Sequence, residues 1–189
     1  MEKVSDYIFV TNAIPQNVCA DVLKDIQSKE WKKHSWYNYA ASNYTSETEK
    51  ELDVQQTSSE LQEALAPFVC SAIEDYMIKV APQNDERIKS FIKTFTPIRF
   101  NRYTVGTMMR NHYDHIHSLF DGNHKGIPIL SILGLINDGY EGGEFVFSSK
   151  HVVPLKSGDI LVFPSNFMYP HEVKEVTKGE RYTFVAWAF

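Results

Sequence analysis

The chain has 189 residues, 43% hydrophobic and 23% charged, enough for one domain with a real core and too short for two unrelated catalytic domains. A formal net charge of -5 argues against broad affinity for phosphate backbones, so no nucleic-acid partner is expected. No segment is of low complexity, and 12 Phe and 10 Tyr suit a β-rich protein, because flat rings pack well on pleated surfaces. The opening MEKVSDYIFV lacks the sustained apolar run of a secretory signal. The longest apolar stretch, 127–136, contains Pro128 and Ser131 and is too short to cross a bilayer. A cytoplasmic protein with no membrane partner is the expectation. Cys19 and Cys70 fall on apolar positions of predicted helices, which reads as two buried thiols and not a disulfide.

In chain order, a short strand is predicted over 7–11. Behind Pro15 and Asn17, Val18, Val22, Leu23 and Ile26 recur at helical spacing and predict an amphipathic helix. The segment 36–56 is rich in Tyr, Asn, Ser, Thr and Glu, has little periodicity, and reads as a long mobile loop anchored by Trp36 and Tyr37. A longer helix is predicted after Thr57, which forms a capping box with Glu60. Its apolar stripe runs from Leu61 through Leu65, Val69, Ile73 and Tyr76 to Val80, and Pro67 should bend or restart it.

Near residue 90 the pattern changes from helical periodicity to strand alternation. Eight strand-like runs follow: 98–103, 110–115, 129–136, 144–148, 152–155, 160–163, 171–176 and 182–188. Turn signals at Asp121-Gly122, Gly142-Gly143, Gly158-Asp159 and Lys178-Gly179 separate them; no helix pattern follows these glycines, so they are turns and not a nucleotide site. Eight strands suggest a jelly roll, a double-stranded β-helix whose two sheets enclose a site. The fold class is therefore α+β, mainly β. A single domain over 1–189 is expected, with 1–92 as helical support carrying the lid loop and 93–189 as the jelly-roll core.

Of seven His, three cluster in His112-Tyr113-Asp114-His115-Ile116-His117. Alternation places His112 and Asp114 on one strand face, where they can take neighbouring positions on a metal. His171, opening the seventh run, is the candidate third ligand. Two His and one carboxylate on one edge of a metal leave positions open for substrate and oxygen, as in non-haem Fe(II) oxygenases. Arg181 follows across the Lys178-Gly179 turn. With an odd hairpin loop, His171, Arg181, Thr183 and Trp187 share one sheet face, so a single pocket holds metal and guanidinium. Such a pocket suits a dicarboxylate held at one end by the metal and at the other by Arg181. A zinc site using His115 and His117 is the competing arrangement, but structural zinc prefers four protein ligands. His34, His124 and His151 stand alone and read as surface residues.

At these positions the chain resembles the prolyl 4-hydroxylase-like 2-oxoglutarate- and Fe(II)-dependent dioxygenases. The resemblance covers FNRYTVGTMMRNHYD (100–114), LSILGLINDGYEGGEFVF (130–147), VPLKSGDILVFPS (153–165) and HEVKEVTKGERYTFVAWAF (171–189), in order and spacing as well as residue type. It implies that His112, Asp114 and His171 bind Fe(II) and that Arg181 holds the distal carboxylate of 2-oxoglutarate. Tyr103 matches the Tyr of the family's Y-x-x-G segment near the co-substrate, and Trp187 an aromatic at the same pocket. Leu135 stands where some animal members have a co-substrate-binding Tyr, which leaves Ser131, Thr183 or Tyr103 to supply the second donor.

The function implied is hydroxylation of a prolyl residue in a peptide or protein partner, with release of succinate and CO2. Its requirements are Fe(II), 2-oxoglutarate and O2, with ascorbate as accessory. Two other readings stand beside it: the same chemistry on a free amino acid or small molecule, and a non-catalytic jelly-roll metal-binding protein.

Overall fold

The computed structural model describes residues 3–38, 42–45, 49–80, 92–114 and 127–189. Two helices pack on a β structure. The first, α1, spans Gln16–Gln27 and starts after Pro15, whose missing N–H is one a helix start leaves unpaired anyway. It buries Cys19, Val22 and Ile26, the face its periodicity predicts. The second, α2, spans Ser59–Val80 and buries Leu65, Val69, Ala72, Ile73 and Tyr76.

Three details of α2 correct the sequence reading. The cap is Ser58, whose Oγ accepts the Leu61 N–H at 3.3 Å. Thr57 is spent elsewhere: its N–H pairs with the Ile98 carbonyl, and its hydroxyl donates to the Ser58 carbonyl. The helix also continues through Pro67 without restarting. Pro67 and Glu63 are exposed, so water can satisfy the Glu63 carbonyl that the proline frees. Cys70 is likewise exposed, while Cys19 is buried; the two thiols are free.

The strands are β1 (Phe9–Asn12), β2 (Lys32–Lys33), β3 (Trp36–Asn38), β4 (Asn43–Thr45), β5 (Asp53–Gln56), β6 (Arg99–Tyr103), β7 (Met109–His112) and β8 (Leu130–Leu135). They continue with β9 (Glu141–Gly142), β10 (Phe145–Phe147), β11 (His151–Val153), β12 (Asp159–Pro164), β13 (His171–Val173), β14 (Val176–Lys178) and β15 (Arg181–Ala188). Among the described residues, a major sheet has the order β1-β12-β8-β15-β6-β5-β2 and a minor sheet the order β11-β10-β13-β7. The pairs β14-β9 and β3-β4 complete the β structure. This is the jelly-roll architecture expected from the eight runs. The 171–176 run divides, so that β13 stays in the minor sheet while β14 pairs with β9.

The segment 36–56, read as a loop from its polar composition, contains structured pieces. Its end, β5, pairs with β6 inside the major sheet, from Asp53 opposite Arg102 to Gln56 opposite Arg99. Its start, β3, pairs with β4. Polar residues hide strands here because β5 makes its contacts through charge: Arg102 donates to Asp53 Oδ2 at 2.8 Å and Lys33 lies 3.0 Å from Oδ1.

The major sheet separates two cores, and β15 shows the partition. Tyr182, Phe184, Ala186 and Ala188 face the helices, joining Val22, Ile26, Val69 and Ile73. Tyr103, Met109, Leu133, Phe145, Phe163 and Val173 fill the space between the sheets. The period of two leaves Arg181, Thr183, Val185 and Trp187 for that inner side. A polar site is thereby set inside an apolar sandwich.

Candidate metal centre

Strand β7 ends at His112, which stands opposite His171 on β13. Their rings are 4.3 Å apart between centroids. The two imidazoles are held alike. His112 Nδ1 lies 2.8 Å from the Arg110 carbonyl and His171 Nδ1 lies 2.9 Å from the Tyr169 carbonyl. Since a carbonyl only accepts, each Nδ1 carries the proton and each Nε2 keeps a free lone pair.

Asp114 lies beyond the end of β7, so strand alternation does not bring it here; the chain leaves the sheet and returns the carboxylate to the histidines. Its Oδ1 is 3.7 Å from His112 Nε2 and 3.9 Å from His171 Nε2. These separations are too long for hydrogen bonds, yet one ion can touch all three groups. Ser131 Oγ donates to Asp114 Oδ2, and the Trp187 indole also hydrogen-bonds the carboxylate.

Protonation favours the same use. Burial, then the neighbouring His171, pushes His112 down to about 4. Burial alone would raise Asp114, but His171, His112, Ser131 and Trp187 together hold it below its ordinary value. Near neutral pH His112 is thus neutral and Asp114 ionised, the forms that bind a metal. Two imidazole nitrogens and one carboxylate fit Fe(II) with positions left open. Among the described residues no fourth ligand joins the cluster, unlike a structural zinc site. His115, His117 and His124 lie outside the described residues.

Arg181 comes from the opposite wall. His171 belongs to the minor sheet and Arg181 to the major one, so the two meet across the barrel and not on a shared face. Arg181 is 1% exposed, and its Nε and Nη1 have no hydrogen-bond partner. Its guanidinium lies 5.1 Å from the Tyr103 ring, its cross-strand neighbour on β6. Two pairs further along, on the same face, Thr183 opposes Asn101; Thr183 Oγ1 and Asn101 Oδ1 are buried and also without partners. Buried polar atoms are normally satisfied, so a cluster of open ones marks where a polar ligand belongs. A guanidinium with a hydroxyl beside it fits a carboxylate.

The three second-donor candidates sit differently in the structure. Ser131 is engaged with Asp114, whereas Tyr103 and Thr183 stand next to Arg181. Leu135, opposite Thr183, is fully buried. Two residues of the cleft escaped the sequence reading, Asn101 and Arg99. The signal was present: positions 99, 101 and 103 alternate onto the same face of β6.

A further correction concerns His34, which is 8% exposed and no surface residue. Trp36 is sandwiched between the rings of His34, at 4.9 Å, and His112, at 5.3 Å, with the Arg110 guanidinium 4.1 Å from its centre. Burial, followed by the charges of Arg99, His112 and Arg110, pushes His34 down to about 3. His151 is exposed as expected.

Comparison with known proteins agrees with this geometry. Residues 98–189 match the model of the 2OG-Fe(II) oxygenase superfamily. A PKHD-type hydroxylase of Methylobacterium nodulans is 35% identical over 105 residues, 49% of this chain and 42% of the relative. One from Stenotrophomonas maltophilia is 37% identical over 98 residues, 49% of this chain and 43% of the relative. The matched segment thus spans less than half the length of these relatives. Among solved structures, a Trichoplax adhaerens prolyl hydroxylase in complex with a hypoxia inducible factor peptide superposes with a TM-score of 0.69 at 18% identity, covering 98% of this chain and 84% of that one. A Pseudomonas putida prolyl-4-hydroxylase gives 0.65 at 17%, covering 96% and 91%. At these identities the likeness is one of fold.

Proposed function

Residues 98–189 match the 2OG-Fe(II) oxygenase superfamily, and from that premise we propose that the protein is a 2-oxoglutarate- and Fe(II)-dependent dioxygenase hydroxylating a prolyl residue in a peptide or protein. The observation that carries the reading is the pairing of two features inside one sandwich: a His-Asp-His trio and an unsatisfied buried guanidinium. In this reading His112, Asp114 and His171 hold Fe(II), with the carboxylate supplying the one negative charge. Arg181 takes the distal carboxylate of 2-oxoglutarate, with Tyr103 and Thr183 beside it. Bound there, the metal with 2-oxoglutarate and O2 supplies the oxidising power for C–H hydroxylation, leaving succinate and CO2.

The chain's own residues supply order and dryness. The Arg110 and Tyr169 carbonyls keep both Nε2 lone pairs turned to one point, and Ser131 and Trp187 fix Asp114 against them. Phe145, Phe163 and Val173 exclude water from the inner side. Trp36, on β3, packs edge-on against His112, and the β3-β4 pair, not the sheet-bound β5, is the element we assign to closing over a bound peptide.

An anaerobic titration of the metal-free protein with Fe(II) and then 2-oxoglutarate tests the reading. The visible charge-transfer band of the chelate should appear, and Arg181→Ala should weaken it. Bound iron without a band would sink the oxygenase assignment in favour of a non-catalytic metal binder. Succinate release with prolyl peptides against free proline then separates the peptide substrate from a small one.

A further inference from the structure

Arg99 has no task in the site as described so far. It leaves β6 on the inner side, lining the cleft together with His112, Asp114 and Trp187. Its guanidinium lies over the Trp187 ring, 5.4 Å from the centre, and its Nε is buried without a partner. Among the described residues no carboxylate lies within ion-pair distance of it. The nearby acid whose charge it feels is Asp114, already engaged by Ser131 and Trp187. Arg99 is half-buried, and a guanidinium whose Nε is shut off from water without a partner is stabilised when an anion meets it.

The two carboxylates of the co-substrate do not meet that need. Arg99 stands opposite Val185 and Arg181 opposite Tyr103, so the backbone positions that carry the two cations are four residues apart along β6, about 13 Å, and Arg181 is not among the residues that line the cleft with Arg99. In the oxygenase reading one carboxylate of 2-oxoglutarate is assigned to Arg181 and the other end to the metal. We infer that Arg99 is a specificity-determining residue that pairs with a carboxylate on the primary substrate, close to the C–H bond that reacts. The inference rests on the oxygenase reading and narrows its substrate class. The carboxylate is either that of the target residue itself, as in a free or C-terminal proline, or an acidic side chain beside the target in a peptide. The planar fork of Arg99 suits both.

The test uses the protein loaded anaerobically with Fe(II) and 2-oxoglutarate and compares matched probes. N-acetyl-L-proline against N-acetyl-L-prolinamide reports the first source; an end-blocked peptide with Asp-Pro against one with Asn-Pro reports the second. Binding is followed by calorimetry, and succinate release is measured after oxygen is admitted. One pair should show a carboxylate preference of about 10-fold or more. Arg99→Gln should erase it, and Arg99→Lys, a point charge without the fork, should keep part of it. The 2-oxoglutarate affinity of Arg99→Gln should stay within about 2-fold of the parent. Such retention shows the variant folded, and a purely structural role for Arg99 would not move the carboxylate-to-amide ratio. Absence of preference in both pairs, a preference that survives Arg99→Gln, or a fall in 2-oxoglutarate affinity would each overturn the inference. Failure of the unaltered protein to bind 2-oxoglutarate at all is a separate result, which removes the oxygenase reading itself.

Discussion

Gly143 leaves room for Arg181. A methyl group at position 143 would stand 2.9 Å from Arg181 Cδ and 3.0 Å from Val176 Cγ2, and the backbone there has φ +68°, a conformation that favours glycine. The second glycine of the Gly142-Gly143 turn therefore bears on the guanidinium across the barrel as well as on the turn. Gly143→Ala should weaken 2-oxoglutarate binding by about 10-fold or more while leaving Fe(II) affinity within about 3-fold, since the trio is carried by β7, the chain just beyond it and β13. Calorimetric titration of each ligand separates the two effects. Equal loss of both would mean that the turn supports the whole barrel.

Asp114 depends on two donors that are not themselves ligands. Trp187→Phe removes the indole N–H and Ser131→Ala the hydroxyl, each leaving the carboxylate less firmly aimed. Each substitution should lower metal affinity by about 10- to 100-fold, the usual effect of removing a group that orients a ligand. Anaerobic Fe(II) competition against a fluorescent chelator measures it. Unchanged affinity in both variants would assign the orientation of Asp114 to its backbone alone.

His34 predicts a pH dependence of stability. Its value falls from 6.5 to about 3 on folding, so between these values the unfolded chain holds the proton and the folded one does not. The stability it contributes is complete above pH 6.5 and declines as the pH falls towards 3, with a slope of up to about 1.4 kcal/mol per pH unit. Urea unfolding at pH 7.5, 6 and 5 should show the parent losing more stability on acidification than His34→Gln. Parallel losses would place the acid sensitivity in other groups.

The Phe184 ring lies over Gly134, its partner between β15 and β8. A methyl group at position 134 would fall 2.1 Å from a Phe184 ring carbon, and Phe184 is fully buried against the helices. Gly134→Ala should therefore destabilise by about 1–3 kcal/mol, the range for overpacking a filled core. Thermal or urea unfolding measures the loss, and Phe184→Leu in the same chain should recover part of it. A neutral Gly134→Ala would show that the ring can move aside.

The sequence by itself determined the periodic parts and the list of chemically able residues. Helical spacing located α1 and the body of α2, period-two runs located the strands of both sheets other than β2 and β5, and His112, Asp114, His171 and Arg181 stood out by residue type and order. Such signals survive in one dimension because burial on one face leaves a repeat. The remaining features depend on pairings distant along the chain. The polar strand β5 is stabilised by Arg102 and Lys33, so no hydrophobic repeat announces it. His34 is buried because Trp36 folds onto His112, which composition cannot report. Asp114 reaches the trio after its strand has ended, Ser131 serves Asp114 from another strand, and Arg181 faces His171 from the opposite sheet. Arg99 and Asn101 are polar residues on a face whose other side packs against helices, and only closure of the two sheets over that face turns them from a strand's alternation into the wall of a site.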